Sequence, residues 1–206
     1  SKRFKCTVCY DGTDYYGFQK QDGFKTVESE LEKALKRLLN TPTRLFASGR
    51  TDRLVHARGQ VFHFDTDLDI PKEGVLKGLN GYLPADIRIL SVFLVNSEFH
   101  SRFNAIAKEY RYYIKYSHYS VFDKNYSYFY KGLDIEKMTK AAKCFAGTHN
   151  FKGFCSSEVD PRKSFVKTIF DVHVNILPEY YEFVFTGTGF LKYQVRRMMG
   201  LIIEIG

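Results

Sequence analysis

The chain contains no tryptophan, only five prolines and only four cysteines among its 206 residues, and it has no long apolar run. Four cysteines at 6, 9, 144 and 155 are too few and too irregularly spaced for a disulfide framework, which predicts a reducing compartment and a cytoplasmic location. No stretch approaches the roughly 18 uninterrupted apolar residues of a membrane helix, and the start, Ser1-Lys2-Arg3-Phe4, enters a charged, alternating segment rather than a signal-peptide core. The expectation is a soluble protein without a membrane partner. Low-complexity tracts and Pro-rich or Ser-rich linkers are missing as well, so domain boundaries must come from repetition of structural elements. What is abundant is aromatic surface and positive charge: 15 Tyr and 19 Phe, with a formal net charge of +8. A 44% hydrophobic chain of this kind can offset its conformational entropy, which excludes disorder as the main state. Cations combined with rings that bases can stack on point to nucleic acid as the partner.

Periodicity divides the chain into two similar halves, 1–100 and 101–206. Lys2 to Cys9 alternates as a strand. Thr26 to Asn40 reads as a helix capped by Thr26, with Val27, Leu31, Ala34, Leu35, Leu38 and Leu39 on one face. Arg44 to Ser48 and Gln60 to Asp65 read as short strands, Lys72 to Tyr82 as a helix, and Arg88 to Val95 as a strand with Leu90, Val92 and Leu94 on one face. The order βαββαβ then restarts. Glu109 to Tyr116 is a strand and Asp134 to Ala146 a helix; Phe165 to Ile176 places Phe170, Val172 and Val174 on one face, and Tyr180 to Thr186 pairs with it across Leu177-Pro178-Glu179. A last helix runs from Gly189 or Phe190 to Glu204, and the repeat calls for one more strand beyond Gly206. The predicted fold class is α+β: two ferredoxin-like, RRM-like βαββαβ halves whose antiparallel sheets lie side by side around a central basic cleft, the second lacking its last strand.

Three clusters could carry chemistry. In the first, Ala47-Ser48-Gly49-Arg50-Thr51-Asp52-Arg53-Leu54-Val55-His56-Ala57-Arg58-Gly59-Gln60, Asp52 lies between two arginines, and nearby cations keep a carboxylate ionised, as a carboxylate nucleophile must be. Taken alone, the same pattern is better read as a surface turn in which Asp52 pairs with a neighbouring Arg. The second, Ser101 to Tyr116, interleaves basic and aromatic residues; period two puts Tyr110, Tyr112, Ile114 and Tyr116 on one face and Arg111, Tyr113 and Lys115 on the other, so one side can be core while the other is cationic. In the third, Arg196 and Arg197 sit adjacent on an apolar helix, where an inward Arg would want a carboxylate. Gly187-Thr188-Gly189 fails as a dinucleotide fingerprint because Lys192 stands at the third glycine. Cys6 and Cys9 have zinc-like spacing but no second compact pair, and the six histidines form no ligand motif, so no metal is expected.

Together these clusters resemble one family, tRNA pseudouridine synthase A. The likeness runs through Tyr10-Asp11-Gly12-Thr13, Gly17-Phe18-Gln19-Lys20-Gln21, Gly49-Arg50-Thr51-Asp52, Val55-His56-Ala57, Gly59-Gln60, Arg102-Phe103, Lys108-Glu109-Tyr110-Arg111-Tyr112, Gly189-Phe190-Leu191 and Val195-Arg196. The resemblance implies a cofactor-free isomerase that converts uridine to pseudouridine in the tRNA anticodon stem-loop, at about positions 38 to 40. It implies that Asp52 is the nucleophile, Tyr110 stacks on the target base, Arg196 pairs with the catalytic carboxylate, and Arg50 holds the flipped nucleotide. Arg102, Lys108, Arg58 and Gln60 would complete the substrate contacts, and a homodimer would carry the tRNA. Two departures stand out. Arg53-Leu54 follows Asp52 where the family has Ala-Gly, and the family continues past Gly206 with a final strand that completes the second sheet; Phe18 in place of the usual Trp is a milder change. The first motivates an alternative, a catalytically impaired tRNA-binding relative, with a protein-interaction domain as a third reading.

Overall fold

The structure, a computed structural model, describes residues 1–206 and forms two compact units, Ser1–Ala105 and Ile106–Gly206. No helix is long and apolar enough to cross a membrane.

The first unit runs β1 (Lys2–Tyr10), α1 (Val27–Leu39), β2 (Leu45–Ala47), β3 (Ala57–Thr66), α2 (Lys72–Tyr82) and β4 (Ile87–Val95), with antiparallel sheet order β2-β3-β1-β4. This is the expected ferredoxin-like order. Thr26 caps α1 in a reciprocal box with Ser29, and Asn40 ends it in the left-handed region at φ 56°. Alternation along β1 sends Phe4, Cys6 and Val8 to the helix-covered side, where they pack with Phe62 and Phe64 of β3 and with Leu31, Leu35, Val75 and Leu79 of the helices. Each such side chain contributes about 2 kcal/mol of burial. Cys6 and Cys9, three apart on one strand, face opposite sides and cannot chelate one ion together.

The second unit runs β5 (Lys108–Lys115), β6 (Tyr128–Phe129), α3 (Ile135–Lys143), β7 (Gly147–Asn150), β8 (Val166–Ile176), β9 (Tyr180–Gly187) and α4 (Gln194–Ile205), in sheet order β6-β5-β9-β8-β7. Two short strands, β6 and β7, go beyond the periodic pattern, and β6 pairs with β5 in parallel over two residues. Asp134 caps α3 by accepting from the amides of Glu136 and Lys137. The core gathers Ile114, Phe183, Phe185, Ile169 and Val172 from the sheet with Met138, Ala142, Met198, Met199 and Ile202 from the helices.

Three expectations need correction. In β4, Leu90 is 50% exposed while Ile87, Ile89 and Val92 point inward; Leu94, opposite Phe4, keeps the face of Val92 although it is 57% exposed. The ladder pairs Thr7 with Ser91 but Val8 with Ile89, so Leu90 is an extra residue in a bulge that reverses the alternation. The same happens in β8. Ile169 pairs with Gly187 and Asp171 with Thr186, leaving Phe170 bulged outward at 55% exposure and Ile169 buried instead. Finally, α4 starts at Gln194 rather than Gly189 or Phe190, because Tyr193 adopts φ 66° and the Gln194 side chain accepts the Leu191 amide just before the helix.

Candidate active site

In the first unit, the strand ends after Ala47 and before Ala57 leave a loop that carries Arg50, Asp52 and His56. Its backbone is fixed from several directions. The Gln60 amide bridges the two strand ends, donating to the Gly49 carbonyl at 2.9 Å while its oxygen accepts from Ser48 Oγ at 2.6 Å. Thr51 is held twice: its carbonyl accepts from the Phe18 amide at 3.1 Å, and its Oγ1 lies 2.6 Å from the Tyr10 hydroxyl. On the other side of Asp52, the Val55 amide returns to the Asp52 carbonyl at 3.2 Å, and His56 Nδ1 accepts from the Gly12 amide at 2.9 Å.

Two glycines make this approach possible. Gly17 (φ 79°) lies so close that a Cβ there would sit 3.3 Å from the Thr51 carbonyl oxygen and 3.4 Å from the Arg53 amide. A Cβ on Gly12 would sit 2.1 Å from the Val55 carbonyl oxygen. The segment from Tyr10 to Gln19 thus forms a floor under residues 51–56. The arginines flanking Asp52 reach the same segment, since Arg53 stacks over Tyr16 at 4.7 Å and Arg50 donates to Gln19 Oε1 at 3.3 Å. Asp52 itself is half-buried. At the position after Arg53, Leu54 takes φ 67°, so the turn forms with a leucine in the left-handed conformation.

The second unit places Tyr110 on β5, opposite Phe185 and on the helix-covered side of the sheet. Phe190, in the turn that leads to α4, meets its ring edge-on at 4.7 Å. Lys108, two residues earlier, is half-buried at the start of the strand. The opposite face of β5 is not the free cationic surface expected from alternation. Arg111 is bound to Glu109 at 2.7 Å and reaches the buried Glu182 at 3.3 Å, while Lys115 pairs with Asp123 at 2.8 Å. Burial works to raise the Glu182 pKa, but hydrogen bonds from Tyr113 and Asn175 and the Arg111 charge together hold it below the usual glutamate value. The Lys115 hydrogen bond, joined by one from Tyr180, holds Asp123 down to about 2.

Neither arginine of α4 is buried, contrary to the inward placement considered for one of them. The inward face is taken by Gln194, Met198, Met199 and Ile202. Arg197 donates to the Cys155 carbonyl, and Arg196 lies over the Tyr193 ring at 5.3 Å. Burial raises the Tyr112 pKa, with Tyr128 adding to it, and the Arg196 charge acts in the opposite sense. Arg196 therefore stands in the electrostatic neighbourhood of β5.

Of the other candidates, Arg58 is exposed on β3, and Arg102 is exposed beside Phe103, 5.9 Å from its ring, in the segment that follows β4. Arg50 and Asp52 share one loop, to which Gln60 of β3 bonds through Ser48 and Gly49; Lys108, Tyr110 and Arg196 belong to the second unit. The residues that sequence reasoning did not assign are Tyr10, Gly12 and His56, which support the Asp52 loop. Their signal was present only as motif letters, because the contacts span about forty residues of chain.

The chain matches the family model described as tRNA pseudouridine synthase over residues 7–104 and 141–206. It is 44% identical over 209 residues to the tRNA pseudouridine synthase A of Geobacillus sp. strain WCH70, an alignment covering 100% of this chain and 84% of that one. The protein of the same name from Oceanobacillus iheyensis is 42% identical, with 100% and 82% covered. The one from Aster yellows witches'-broom phytoplasma is 41% identical, with 98% and 83% covered.

Proposed function

Since the chain belongs to the tRNA pseudouridine synthase family, an isomerase family acting on uridine in tRNA, we propose that Asp52 is its nucleophile and a uridine of the anticodon stem-loop, at about positions 38 to 40, its target. The observation that carries the reading is the loop itself: a half-buried carboxylate on a backbone held on both sides by the 10–18 segment. Pre-organisation of this kind lets a carboxylate act without first being ordered.

Pseudouridine is an isomer of uridine, so the reaction requires no oxidant and no added atom. Asp52 attacks either the sugar C1′ or the uracil C6, and the bond between N1 and C1′ breaks. The base rotates and C5 bonds to C1′. In the C1′ route this bond displaces the carboxylate from C1′, and in the C6 route the carboxylate is eliminated from C6 afterwards; in both, the C5 proton leaves and N1, freed from C1′, takes up a proton. Tyr110, walled by Phe190, stacks on the base and assists removal of the C5 proton. Arg196 is the cation this reading assigns to serve the catalytic carboxylate. Arg50 holds the extruded nucleotide, while Arg58, Arg102 and Lys108 meet phosphates and make binding salt-dependent. Gln60 serves the site through Ser48 and Gly49, on which its amide is used. A homodimer carries the tRNA in this reading, and sedimentation of the active protein as a monomer alone would remove that part.

The test is tritium release from tRNA labelled at uracil C5, comparing the protein with Asp52→Ala. Release is expected from the former and lost in the variant, with tRNA affinity largely kept. A variant that turns over normally overturns Asp52 as nucleophile. Salt-sensitive tRNA binding without release from either protein establishes the alternative, a catalytically impaired relative. Against that alternative stands Leu54, which closes the turn after Asp52 without the family's glycine.

A further inference from the structure

We infer that Tyr10 is a positioning residue for the reaction, acting through Thr51 to fix the direction in which Asp52 leaves the backbone. The inference rests on the reading of Asp52 as nucleophile.

Tyr10 is the last residue of β1. Its predecessors on the inward face, Phe4, Cys6 and Val8, are apolar, and its own ring is buried in the same core, 6.1 Å from Phe18. Packing alone would be served by phenylalanine. The hydroxyl instead leaves the core at its edge and meets Thr51 Oγ1 at 2.6 Å. The register shift between Val8 and Tyr10 in the β1–β3 ladder brings Tyr10 opposite Ala57, where the loop rejoins the sheet. Thr51 is also the residue whose carbonyl accepts the Phe18 amide at 3.1 Å. It is therefore restrained through side chain and main chain at once, one residue before Asp52. A carboxylate side chain has only two rotatable bonds, so the backbone orientation at residues 51 and 52 governs where its oxygens can lie. Displacement of a reacting group by about 1 Å can cost about a hundredfold in rate, and loss of one hydroxyl pair that orients a loop is expected to cost about tenfold. The tRNA, held by contacts elsewhere, should bind as before.

The experiment is a double-mutant cycle in the full chain, read by tritium release under saturating and limiting tRNA and by thermal melting. Tyr10→Phe and Thr51→Val each keep ring or side-chain shape and remove one hydroxyl. Each is expected to lower kcat about tenfold with KM within about twofold, and the double variant to be no slower than either single one. Thr51→Ser, which restores the hydroxyl, should recover the kcat lost in Thr51→Val. The inference is overturned by an unchanged kcat in Tyr10→Phe, by losses that multiply in the double variant, or by a rise in KM alone. It is also overturned if the kcat loss is matched by partial unfolding at the assay temperature. Asp52→Ala is run alongside: if that variant keeps turnover, the parent reading has failed, whereas an inactive Asp52→Ala with an unaffected Tyr10→Phe removes the positioning role alone.

Discussion

The amide of Val55 donates to the carbonyl of Asp52 at 3.2 Å, and the turn this closes contains Leu54 at φ 67°. A β-carbon in the left-handed region crowds the neighbouring carbonyl and costs about 1 to 2 kcal/mol. The leucine side chain is 57% exposed, so little burial offsets that cost. Leu54→Gly should relieve the strain while giving back part of the gain through the greater freedom of glycine in the unfolded chain. The expected net effect is about 0.5 to 1 kcal/mol of stabilisation, or a melting temperature higher by about 1 to 4 °C in calorimetry. A lower melting temperature would show that the leucine makes contacts worth more than the strain.

Much of the architecture was legible because its determinants are local. Thr26, the apolar stripe from Val27 to Leu39 and the left-handed Asn40 lie within one segment, and capping and periodicity depend on nothing outside it. The strand faces were less so. Leu90 and Phe170 continue the alternation of β4 and β8 on paper, yet each is the extra residue of a bulge, and a bulge belongs to a pair of strands rather than to one sequence. The electrostatics followed the same division. Arg111 and Lys115 read as a cationic face, but the carboxylates that neutralise them include Glu182, on another strand 71 residues from Arg111. Asp52 could be found from fourteen consecutive residues, whereas its supports could not: Tyr10 and Thr51 are separated by 41 positions and Gly12 and His56 by 44.

Gly12 offers a test of how tightly the Asp52 loop is built. A Cβ there would lie 2.1 Å from the Val55 carbonyl oxygen and 3.0 Å from its carbon, and both atoms are backbone. No rotamer change can make room, so Gly12→Ala must push residues 51–56 away from the floor and break the Gly12 amide's bond to His56. Turnover is expected to fall more than tenfold, with the far-ultraviolet circular dichroism of the fold retained. Gly81→Ala is the control. Its Cβ meets nothing within 4 Å on α2, and it should leave turnover within about twofold while gaining the helix propensity of alanine. Full activity in Gly12→Ala would mean that the loop can sit elsewhere and still work.

His63 gives the first unit a defined response to acid. Its ring is buried, and its Nδ1 accepts from the Ser101 amide at 3.1 Å and lies 2.9 Å from the Ser101 hydroxyl. A proton on that nitrogen would face the amide donor, and burial makes the charged ring costlier still. Burial first, then the charges of Arg3 and His100, push the His63 pKa down to about 4, against an opposing pull from Asp65. In the unfolded chain the same ring protonates near about 6.5. The unfolded state therefore binds the proton over an interval in which the folded state does not, and stability must fall as the pH drops from about 6.5 towards about 4. His63→Asn keeps an acceptor for the Ser101 amide and removes the titration. Urea midpoints measured at pH 7, 5.5 and 4.5 should decline more steeply in the wild type than in His63→Asn, since the carboxylates common to both contribute equally. Parallel declines would place the acid sensitivity in other groups and leave His63 a purely packing residue.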